Sequence, residues 1–390
     1  MKKVGIVSCY FKNNYGSMLQ AYATQEFLNK NNIDNETINI TSNVDFKKGK
    51  RKYYLSQIFN YKFLKTKFGM LNLKIIKIFN KKLRNNIKTR TNKYKEFEKK
   101  FKLSKRIDNY YDLNKYANNN YSDVIVGSDQ LWLPVNVVAD YYTLNWVNNN
   151  INKISYSTSF GISNIEKKYD DLYFKFLSKI NHLSTREESG LDIINKYNLK
   201  GKIVCDPTIL LTAQEWKNIS IKKRIIKDKY ILCYFLGNNI EHRKYVEKIK
   251  KITGYKIVSL NHADEYVKYS DIYADIIPYD IGPKEWINLV ENAEYVCTDS
   301  FHCTVFSILF NKLFFDFRRY NSKNKMSTNS RIDSLLHLAG ISNNRILDCS
   351  EDVNEILKYD IDYKEVNKKI EKIRKESSKW LLDALKKEIK

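Results

Sequence analysis

Val4-Gly5-Ile6-Val7-Ser8 opens the chain as a short apolar run, and Lys12-Asn13-Asn14-Tyr15-Gly16-Ser17 follows as a polar loop. Met18, Leu19, Ala21, Tyr22, Ala23, Phe27 and Leu28 then recur at helical spacing. A buried strand, a polar loop and a helix in that order begin an α/β domain, because a parallel neighbour strand is reached only through a crossover.

Working outward, the alternation continues. Residues 36–40, 123–126, 153–157, 181–185 and 202–205 read as strands, and 187–197 as a helix. The pattern stops at Asp206-Pro207 and restarts. Residues 230–236, 256–259, 275–277, 295–298 and 312–317 read as strands, the last closing the series; 241–252, 283–291 and 304–311 read as helices. Two such halves in 390 residues predict two Rossmann-like domains with parallel sheets. The expected divisions are 1–206, with a basic helical insertion at 44–106, then 207–345, then a charged helical tail over 346–390.

The formal charge of +24 is concentrated. Residues 44–106 hold 22 Lys or Arg against 3 Asp or Glu, about +19. Such a block can bind nucleic acid, anionic lipid or an anionic polymer, or simply form a solvated helical face. No RNA-binding motif accompanies it, so no specific nucleic-acid partner is expected. The six cysteines (Cys9, Cys205, Cys233, Cys297, Cys303, Cys349) form no CxxC, and most sit in apolar runs, as buried thiols do. No zinc-ligand spacing is present, so no metal is expected. The start lacks a signal-peptide apolar region, and no run approaches the roughly 18 apolar residues of a membrane span. The expected location is cytoplasmic, with peripheral contact at the inner membrane face through 44–106.

In doubly wound sheets ligands bind beyond the carboxyl ends of the strands. Four polar clusters fall there: Asn14, Tyr15, Gly16 and Ser17; Gly127, Ser128, Asp129, Gln130 and Trp132; Arg186 with Glu187; and Asp299-Ser300-Phe301-His302-Cys303-Thr304. The last places a His at the start of an apolar helix, where free amides and a partial positive charge favour an anion. Arg186 can grip a carboxylate or phosphate through paired hydrogen bonds. The chain has no GxGxxG after its first strand, no P-loop, no HExxH and no GxSxG.

At these clusters the sequence resembles the polysaccharide pyruvyl transferase family. The matching segments are Asn14-Tyr15-Gly16-Ser17-Met18-Leu19-Gln20-Ala21-Tyr22-Ala23, Val124-Ile125-Val126-Gly127-Ser128-Asp129-Gln130-Leu131-Trp132, Ser184-Thr185-Arg186-Glu187, Asp206-Pro207-Thr208 and Thr298-Asp299-Ser300-Phe301-His302. One departure is Cys303, where the family usually carries Gly after its His. The resemblance implies a glycosyltransferase-B-like pair of domains facing a cleft. It implies phosphoenolpyruvate as co-substrate, no separate cofactor, and a glycan or lipid-linked sugar as acceptor. His302 is then expected as acid or phosphate ligand and Asp129 as base or sugar-orienting group. Asn14, Tyr15, Gly16, Ser17, Gly127, Ser128, Gln130, Arg186, Ser300 and Arg331 are the expected substrate-binding positions. A nucleotide-sugar glycosyltransferase is the alternative on the same architecture.

Overall fold

In the computed structural model, residues 2–58, 60, 72–261, 266–319 and 330–386 are described. The first sheet contains β1 (Lys3–Val7), β2 (Asn35–Asn39), β3 (Leu103–Arg106), β4 (Tyr121–Val126) and β5 (Asn152–Ser155). Their order is β3-β2-β1-β4-β5, and every pair is parallel. A parallel pair, β6 (Leu183–Thr185) and β7 (Gly201–Ile203), lies next to β5 through the bridge Ile154↔His182.

The second sheet contains β8 (Tyr230–Tyr234), β9 (Lys256–Ser259), β10 (Tyr295–Thr298), β11 (Leu313–Phe317) and β12 (Ile346–Leu347), again all parallel, in the order β12-β11-β10-β8-β9. Both chain paths reverse direction beside their first strand. The reversals fall between β1 and β4 and between β8 and β10, and such switch points leave a crevice for a ligand.

Three sequence expectations change. Residues 275–277 make only the single bridge Val258↔Ile276, so they are not a strand of the sheet. The last strand is β12, not β11; two residues are too few to show a period. The basic stretch contributes an edge strand, β3, besides helices, although residues 59 and 61–71 lie outside the described residues.

The two domains share one apolar core. Ile6, Tyr15, Leu19 and Ile125 of the first domain belong to the same buried cluster as Trp286, Phe306 and Leu335 of the second. The helix Lys81–Glu98 from the basic stretch reaches across: Arg90 donates to the carbonyls of Asn261 and Pro278, and Lys93 pairs with Glu285 at 2.8 Å. The helix Tyr363–Lys386 returns to the first domain. Ser377 Oγ accepts the Cys205 amide at 2.9 Å, and Asn152 Nδ2 donates to the Ala384 carbonyl at 2.9 Å.

Candidate active site

The loops after β1 and β4 and the one before the helix Phe301–Leu309 meet at a single place. Asn14 caps the helix Tyr15–Lys30 by accepting the Ser17 amide at 3.0 Å. This brings Gly16 into the first helical turn, against His302 of the other domain. A Cβ built on Gly16 would overlap the Nδ1 and Cγ of that imidazole. Only a residue without a side chain admits the ring there.

His302 stands in the first turn of its helix, with Ser300 at the N-cap. Its Nε2 lies 3.5 Å from Asp206 Oδ2. Asp206 is the hub of the site and was missing from the expected list, although Asp206-Pro207-Thr208 marks it in the sequence. Its Oδ2 accepts Ser128 Oγ and Arg186 Nη1, both at 2.8 Å, and its Oδ1 accepts Thr208 Oγ1 at 2.7 Å. Burial opposes ionisation of this carboxyl. The facing His302, the Arg186 guanidinium and the Thr208 hydroxyl outweigh that, and the Asp206 pKa falls well below the usual carboxylate range.

Asp129 forms the second anchor. Ser17 Oγ donates to it at 2.7 Å, the Gln130 amide at 2.8 Å and Cys9 Sγ at 3.4 Å; Arg186 Nη2 lies 3.6 Å away. Burial is the largest single influence and acts against the charge, but Lys12, Arg186, His302 and the Ser17 hydrogen bond together outweigh it and hold the pKa well below the usual carboxylate range. A carboxylate held this firmly is a weak proton acceptor. The arrangement therefore suits an orienting and charge-balancing role better than that of a base.

Arg186 is almost wholly inside, at 3% exposure. Three carboxylates surround it: Asp206 at 2.8 Å, with Asp129 and Glu187 at 3.6 Å. Its guanidinium also lies 4.2 Å from the Phe301 ring centre. The expected free anion clamp is thus an internal cation that fixes the carboxylates. Arg331 flanks the same ring at 6.0 Å, and burial, followed by repulsion from Arg186, depresses its pKa to about 9.

The remaining expected positions separate. Gly127, at φ 151, is required because a Cβ there would overlap the Tyr156 carbonyl. Its neighbour Ser128 donates to Asp206, while the Ser128 amide is held by Gln20 Oε1 at 2.8 Å. Gln130 packs its amide against Gly161. Tyr15 is the clearest displacement from expectation. Its hydroxyl donates to the Ile281 carbonyl at 3.0 Å, and its ring stacks on Trp286 at 5.6 Å, with Tyr94 and Tyr234 around it. It joins the domains; a polar tip in a motif and a buried aromatic ring look alike in sequence.

Among the described residues no group of three His, Cys, Asp or Glu is placed to hold a metal, all six cysteines are free, and no helix is long and apolar enough to cross a membrane.

Two facing Rossmann-like sheets, with a polar cluster assembled from the switch points of both, define a glycosyltransferase-B-like architecture. Solved structures share it. The UDP-GlcNAc 2-epimerase of Neisseria meningitidis bound to UDP-GlcNAc is 11% identical, covers 99% of each chain and has a TM-score of 0.54. The putative UDP-N-acetylglucosamine 2-epimerase of Listeria monocytogenes is 9% identical over 99% of this chain and 96% of that one, with a TM-score of 0.55. At such identities the likeness concerns fold alone. No curated protein matches the chain. The family model for polysaccharide pyruvyl transferase matches residues 14–315, and the chain belongs to that family.

Proposed function

We propose that the protein transfers the enolpyruvyl unit of phosphoenolpyruvate onto two hydroxyls of a glycan sugar, forming a pyruvate ketal and releasing phosphate. The carrying observation is the convergence of His302, Asp206, Gly16, Asp129 and Arg186 at the junction of the two switch points.

The donor's chemistry sets the requirements. A proton adds to the methylene carbon, and the neighbouring carbon becomes cationic. One sugar hydroxyl attacks it, the carbon–oxygen bond to phosphate breaks, and a second hydroxyl closes the ketal. One proton gained by carbon and one carried by phosphate balance the two lost from the hydroxyls. His302 supplies the proton or holds the phosphate, with Asp206 orienting its ring. Free amides at the start of the helix Phe301–Leu309, together with Arg331, receive the anionic groups. Asp129 orients the sugar.

The test is phosphate release from phosphoenolpyruvate with a polysaccharide acceptor, followed by mass spectrometry for the ketal. His302→Ala is expected to lower turnover by about 10²–10⁴-fold. Unchanged turnover in that variant would reject the assignment. Thermal stabilisation by a nucleotide sugar and none by phosphoenolpyruvate would favour glycosyl transfer instead.

A further inference from the structure

We infer that the helical part of the basic stretch is a docking surface for an anionic lipid bilayer. The described residues expose thirteen large hydrophobic side chains, and seven of them fall between Val44 and Phe79. Ile75, Ile78 and Phe79 are 46%, 67% and 84% exposed. They sit at positions i, i+3 and i+4 of the helix over 72–79, hence on one face. Leu73 on the same helix is buried, so the helix is anchored by one side and presents the other. Arg84 supports that pose by donating to the carbonyls of Lys77 and Ile78 at the helix end, at 3.3 and 3.2 Å.

Charge selects the occupant. Between Val44 and Arg84 the sequence carries 13 Lys or Arg and one acid, Asp45. A protein partner would need a matching acidic, apolar groove. A bilayer of anionic lipids offers both properties everywhere on its surface, and an apolar stripe rimmed by Lys is the usual form of an interfacial helix.

The location gives the surface a use. Lys77 and Leu73 share a cavity wall with Asn13 of the loop after β1. Tyr54 of the helix Val44–Ser56 feels the charge of Lys12, which also acts on Asp129. The basic helices therefore border the loop that leads into the candidate site, so docking would hold that loop near the membrane. This use rests on the function proposed above; the docking itself does not.

The experiment is co-sedimentation of the full chain with vesicles of phosphatidylcholine alone and of phosphatidylcholine containing phosphatidylglycerol. Binding is expected only to the anionic vesicles. It should weaken at least tenfold for the double variant Ile78→Glu, Phe79→Glu, and also weaken in high salt. Circular dichroism and phosphate release with a soluble acceptor should be unchanged in that variant, separating loss of docking from loss of fold or of catalysis. Absence of wild-type binding, or equal binding by the variant, would overturn the proposal. So would a wild-type dimer that the substitutions convert to a monomer without any vesicle binding, since the stripe would then join two copies of the chain.

Discussion

Cys303 takes the place after His302 where glycine is usual in the family, and its side chain lies in the apolar core. It is fully buried among core residues, and burial pushes its thiol pKa up. Cys303→Gly is therefore expected to lower stability by about 1–3 kcal/mol, from lost burial and helix propensity, while leaving turnover nearly intact. Denaturant midpoints and phosphate release would check both halves. Gly16 behaves in the opposite way. Gly16→Ala drives a methyl into the His302 imidazole, and kcat should fall by about tenfold or more while the fold persists. His242 gives a pH effect away from the site. Burial lowers its pKa from 6.5 to about 4. Above pH 6.5 the imidazole is neutral in both folded and unfolded chains, and its contribution is intact. As pH falls from there towards 4, the unfolded chain takes up a proton that the folded chain refuses. Stability then declines by roughly 3 kcal/mol. His242→Asn should flatten that part of the curve of unfolding free energy against pH.

Among elements, the helix Tyr363–Lys386 joins what the chain order separates. Leu381 is fully buried in the core that the two domains share, and Arg374 donates to the Ile209 carbonyl at 2.6 Å. Leu381→Ala should cost about 2–5 kcal/mol, visible as a lower urea midpoint with the slope unchanged. Its helical, charged character was legible in the sequence, but its docking site was not, because an amphipathic stripe reports only that some apolar surface covers it. The short elements were less legible. β12 has two residues and β3 lies within a basic run, so neither shows a period of two. Glycine positions were the reverse case: Gly16 and Gly127 stood out beside polar loops, and each is held by a neighbour that a Cβ would strike.

Across the whole molecule, Tyr15 carries an interdomain bond and an aromatic stack that fix how one switch point faces the other. The sequence by itself determined two parallel α/β halves and the loops that end their strands. Those features arise from burial of nearby residues, which leaves a period in the chain. Only the tertiary structure decided that Gly16 touches His302, that Asp206 binds Ser128, Arg186 and His302 together, and that Arg186 lies inside. These contacts depend on the relative placement of two sheets, set by a shared core whose members lie hundreds of positions apart, and no local pattern of side chains encodes that placement.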